Sequence, residues 1–92
     1  MPRAGDIEKT ILALLERRAA GKTICPSEAA RAVFGDVAFR SRMNEVRAVA
    51  VALADRGVVE ITQRGVAVDG RTARGAIRLR SGSKARNANR RM

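Results

Sequence analysis

Eight basic side chains and no acidic one follow Asp69. Within "DGRTARGAIRLR", residues 69–80, Arg71, Arg74, Arg78 and Arg80 alternate with glycines and small apolar residues. Arginines on a short, glycine-rich loop suit one kind of chemistry: hydrogen bonding and charge neutralisation at phosphate oxygens, with a backbone able to approach closely. The whole chain carries nineteen Lys and Arg against nine Asp and Glu, a net charge of +10, and the excess is local. Residues 1–69 hold eleven basic and all nine acidic side chains, a net +2; residues 70–92 hold eight basic side chains, a net +8. A merely solvated surface would intersperse both signs. Such polarity points to a polyanionic partner, and of the two candidates nucleic acid is favoured over an anionic membrane surface.

Other chemistries lack their groups. With no histidine and a single cysteine, Cys25, the chain has neither a disulfide nor a Cys/His cluster for zinc. There is no Gly-rich phosphate loop in strand-to-helix context and no pair of carboxylates at a plausible pocket, so an enzyme, a metal, a cofactor and a small-molecule substrate are not expected. Cys25 reads as a small, partly buried residue before Pro26, Asp36 as a cap and Asp55 as an exposed helix residue. The opening "MPRAGDIEK" has no apolar stretch typical of export, and nothing approaches 18 uninterrupted apolar residues. The expectation is a soluble cytoplasmic protein without membrane contact.

A chain of 92 residues is expected to form one domain, its core built from Ala, Val, Ile and Leu with only Phe34 and Phe39 as aromatics. A first helix is predicted from about Asp6, as N-cap, to Ala20, with Ile7, Ile11, Leu14 and Leu15 as its apolar stripe, Arg17 and Arg18 near its last turn, and Gly21 as its stop. In "CPSEAARAVFG" Pro26 suits the first helical position, Glu28 the first turn and Gly35 the end, giving a helix of about nine residues. The segment from Val37 to Arg56 is helical, with Met43, Val46, Val49 or Ala50, and Leu53 buried. Ser41 and Asn44 are both able to cap, so one helix, or a short turn followed by a longer helix from about Met43, fits equally well. "VVEITQ", "VAV" and "AIRLR" then read as strands, with a turn at "RG", a loop over residues 69–75, and Ile77 and Leu79 pointing inward. Residues 81–92, "SGSKARNANRRM", read as a disordered basic tail.

The order of elements predicts an α+β fold, a winged helix-turn-helix over residues 1–80 with three helices and a small antiparallel sheet, three-stranded if "TI" pairs at the hairpin edge. In that arrangement the third helix offers Arg40, Arg42, Asn44 and Arg47 to a DNA major groove, and the wing lays Arg64, Arg71 and Arg74 against the backbone. Arg78 and Arg80 join this set, although they equally suit the solvent face of an edge strand. DNA is expected in preference to RNA, because two Phe and no Tyr or Trp leave few platforms for stacking single-stranded bases. The alternative is a protein-interaction or dimerisation module using the small apolar face Ala48, Val51, Ala52 to make a homodimer.

The blocks "KTICPSEAARAV", "VRAVAVALADRGVVEITQRG" and "ARGAIRLR" together resemble a small bacterial family catalogued only as a domain of unknown function. The likeness covers about residues 7–80 and implies a winged-helix fold and a bacterial origin, with no activity and no functional residue to carry over. Members of that family often have a tryptophan close to the position of Phe39 and a proline at that of Asn44; this chain has neither.

Overall fold

The structure, a computed structural model, describes residues 3–19 and 21–84. Its fold is α+β, in the order α1 (Ala4–Glu16), β1 (Thr23–Ile24), α2 (Pro26–Ala38), a 3-10 turn (Phe39–Arg42), α3 (Met43–Asp55), β2 (Val59–Gln63), β3 (Val66–Ala67) and β4 (Arg78–Ser81). No helix among the described residues is long and apolar enough to cross a membrane.

Helix α1 starts two residues before the expected N-cap. Asp6 lies inside the first turn, and its carboxylate reaches back to accept the Arg3 backbone N–H at 2.9 Å. The helix stops at Glu16 instead of running to about Ala20; Arg17, Arg18 and Ala19, just past its end, are exposed. Helix α2 uses the same device at its start. Pro26 occupies the first helical position, and the Glu28 carboxylate accepts the Cys25 N–H at 2.9 Å. Ala29 and Ala30 are fully buried, small enough to let α2 approach α1 closely.

The helical part is not three plain helices. Gly35 has φ 86° and ψ 169°, a region open essentially to glycine alone, so the helix opened by Pro26 breaks after nine residues. The chain makes one further turn, passes through the 3-10 segment and enters α3 at Met43, the two-part alternative of the sequence reading. Neither Ser41 nor Asn44 caps α3: the Ser41 hydroxyl donates to the Ala38 carbonyl, and Arg42 stands at the N-cap position. Phe39 turns inward between the two segments and is 7% exposed.

The sheet has four strands in the order β1-β4-β2-β3, all antiparallel, where three were expected. Arg64 and Gly65, with φ of 54° and 81°, make the two-residue connection from β2 to β3, a backbone whose twist matches that of the flanking strands. β4 pairs Leu79 with Ile61 on one side and with Ile24 on the other. Alternation then places these three aliphatic side chains on the inner face, where they meet Ile7, Ile11, Val46, Ala50 and Leu53 from the helices. Ser81, assigned to the tail by the sequence reading, pairs with Val59, and the Gly82 and Lys84 N–H groups donate to the Val58 and Gly57 carbonyls. The rest of the expected tail, residues 85–92, lies outside the described residues.

Replacing Gly35 by Ala is expected to destabilise the fold by about 1–3 kcal/mol through backbone strain alone, since no atom crowds the added methyl. Gly5→Ala, in open space within α1, is expected to stabilise by up to about 1 kcal/mol. Urea denaturation of the two variants checks the contrast.

Candidate nucleic-acid interface

The segment joining β3 to β4 does not stand out into solvent. It runs back along α3 and is pinned at several points. Gly70 is buried so tightly that a Cβ there would fall 2.5 Å from Ile61 Cδ1 and 3.0 Å from Val51 Cγ2. One residue on, the Arg71 guanidinium donates to both carboxylate oxygens of Asp55, at 2.9 and 2.5 Å. Two turns earlier on α3, Arg47 donates to the Ala73 carbonyl at 2.6 Å and to the Gly75 carbonyl at 3.3 Å. From β2, the Gln63 side-chain amide donates to the Arg74 and Ala76 carbonyls at 2.6 and 3.2 Å. The loop closes on itself too, with Asp69 accepting the Arg71 N–H through Oδ1 and the Ala73 N–H through its carbonyl.

These contacts sort the nine candidate residues. Arg71 and Arg47 hold the loop to α3. Arg80 donates to Glu60, its cross-strand partner, at 2.6 Å, and Arg78 donates through Nε to the Thr23 hydroxyl at 2.9 Å, tying β4 to β1. Arg42 pairs with Glu45 at 2.6 Å. Arg40 lies over the Phe39 ring, 5.3 Å from its centroid, and Asn44 is exposed on the first turn of α3. Arg64 and Arg74 are exposed and make no side-chain ion pair or hydrogen bond among the described residues. Of the apolar face Ala48, Val51, Ala52, the middle residue is half-buried beside Gly70, and only the two alanines face solvent.

Three clefts follow the loop. At its start, Asp55, Asp69 and Arg71 border one of about 270 Å³, the acidic and ion-paired end. At its end, Gly75 and Ala76 separate two others. One, of about 260 Å³, is bordered by Asn44 and Arg47 of α3 with Cys25 and Met43. The other, of about 800 Å³, has Arg64, Arg74 and Arg78 on its rim and Val66 and Val68 in its wall. Neither has a carboxylate in its lining. Cys25 is half-buried at the N-cap of α2, and its Sγ accepts a hydrogen bond from Ser27 at 3.0 Å.

The model of the family described as "Protein of unknown function (DUF3253)" matches residues 4–82, from the first residue of α1 to one residue past β4. The chain belongs to this family. No curated protein matches the sequence. In this DUF3253 domain the arginines were legible in the sequence, but the side chains that engage them were not: Asp55 for Arg71, Glu60 for Arg80, Glu45 for Arg42 and Thr23 for Arg78. The spacing Arg47, Val51, Asp55 was the available signal, since residues four apart share one helix face.

Arg71 also sets the titration of its partner. Its hydrogen bonds, followed by its charge, hold the Asp55 carboxyl below the ordinary aspartate value against the opposing effect of desolvation, and Asp55 in turn raises the Arg71 guanidinium. A lowered folded-state pKa means that the pair's contribution is complete above the unfolded value of about 3.9 and is lost as pH falls through the folded one. Carboxyl NMR titration of Asp55 should therefore give a midpoint below about 3.9. In Arg71→Gln it should return towards that value, and the two proteins should converge in relative stability in strong acid.

Proposed function

We propose that this DUF3253 domain is a winged helix-turn-helix module that binds double-stranded nucleic acid, DNA in preference to RNA, chiefly through phosphate contacts. α2, the 3-10 turn and α3 serve as the helix-turn-helix; β2, β4 and the segment between them serve as the wing; β1 completes the sheet. Support comes from one observation above all, the partition of charge along the loop. At one end Arg71 is engaged by Asp55 of α3 and Asp69 accepts from the loop's own backbone, while Arg47, Arg64, Arg74 and Arg78 border two adjoining clefts free of carboxylates at the other. Backbone amides and guanidinium groups on such a rim suit phosphates, which position a protein on a duplex. Arg47 keeps donors to spare, because two of its terminal N–H groups satisfy two carbonyls and a guanidinium has five. Single strands are a poorer fit, since Phe39 is buried and Phe34 half-buried beneath Arg42. A cytoplasmic role as a transcriptional regulator or accessory factor accords with this reading.

Binding of the full chain to a duplex should weaken steeply with salt. Contact with about five or six phosphates gives a slope of log K against log salt of roughly −5. Arg64→Ala and Arg74→Ala should each make that slope shallower by about 1, with folding unchanged because neither side chain makes a hydrogen bond or ion pair among the described residues. A mobility-shift or anisotropy series over salt measures both. Affinity indifferent to salt, or no complex at about 50 mM salt, would count against the proposal.

A further inference from the structure

Base reading by a helix in a major groove needs side chains that reach base edges: Arg or Lys for guanine, Asn or Gln for adenine, carboxylates for cytosine. On α3 most of these are already engaged. Arg47, Val51 and Asp55 form one stripe, and the loop lies on all three: Arg47 bonds two loop carbonyls, Val51 meets Gly70, and Asp55 is held by Arg71. Arg42 and Glu45, at the start of the helix, are paired with each other. The stripe left facing solvent consists of Asn44, Ala48 and Ala52. It offers one amide and two methyl groups, and a methyl can distinguish only the thymine methyl among base edges.

We infer that the domain takes duplex DNA as a class, without regard to base sequence. This rests on the nucleic-acid reading above and specifies its substrate. The loop that fixes the wing also withholds the readable flank of α3, so phosphates are addressed by the donors Arg47 keeps spare and by the candidate cations without a partner among the described residues, Arg40, Arg64 and Arg74. None of these three has a hydrogen-bonding partner among the described residues to hold its guanidinium in the fixed plane that bidentate base recognition requires. The small exposed surface of Ala48 and Ala52 allows α3 to approach a groove closely without demanding any particular base pair.

The test uses the full chain and three 24-base-pair duplexes, one A·T-rich, one G·C-rich and one of mixed sequence, by fluorescence anisotropy at fixed salt, together with selection from a randomised duplex pool. Expected are dissociation constants within about fivefold of one another, a common salt slope, and no enriched motif longer than one or two positions. Asn44→Ala should change the affinities by less than about threefold, because it removes the one open amide and no phosphate charge. A selected motif of four or more base pairs, bound over about a hundredfold more tightly than random duplex, would overturn the inference and leave the nucleic-acid reading standing. Absence of binding to every duplex would overturn both, and tighter binding to an A-form RNA duplex than to each DNA would overturn the assignment to DNA.

Discussion

The placement of one backbone, that of Gly70, against Val51 and Ile61 governs the rest of the exposed architecture. A loop laid on a helix buries peptide groups, and buried peptide groups need partners. Here the partners are long polar side chains. Arg47 and Gln63 together satisfy four carbonyls of the segment 73–76, from α3 on one side and from β2 on the other. The ion pair between Arg71 and Asp55 adds direction more than strength, since both groups are about half exposed and such pairs contribute little. Close packing at a residue without a side chain does the holding, and the bidentate pair fixes the register.

The same economy of side-chain volume runs through the interior. With Phe39 as the only aromatic in the core, the helices and sheet come together on Ile, Leu, Val and Ala, and the two alanines of α2 set how near it lies to α1. Both α1 and α2 begin with a carboxylate three residues in that turns back to the preceding N–H. That satisfies a donor which short helices otherwise leave to water, and it puts negative charge where the helix dipole favours it.

Much of this was legible in the residues. Pro26 and Gly35 marked the limits of a helix because each has a backbone restriction of its own, and the alternation in "AIRLR" placed Ile77 and Leu79 inside because a strand has a period of two. The pairing of "TI" at the edge of the hairpin followed from the order of elements, and the structure shows its partner to be β4. What escaped was non-local. The pairing of Arg71 with Asp55 spans sixteen residues, and nothing in local composition distinguishes an arginine awaiting a ligand from one already bound to its own helix. The start of α1 was misplaced by treating Asp6 as the cap, since the same residue type serves equally at the third helical position. The run "VAV" and the turn before it marked β3, yet the expected sheet was counted as three-stranded, because a sequence pattern shows where a strand lies and not which strands join one ladder.

Strand order has a consequence for how the molecule comes into being. β4 is last of the four in the chain, yet it lies inside the sheet, flanked by β1 and β2. Until a ribosome has released residues up to Ser81, the strand that must unite them is missing, and the inner faces of Ile24 and Ile61 have no Leu79 between them. Closure of the hydrophobic centre therefore waits for the last strand and brings together partners more than fifty positions apart along the chain, the kind of distant pairing that slows folding. Insertion of a single short strand between β1 and β2 is what completes the sheet.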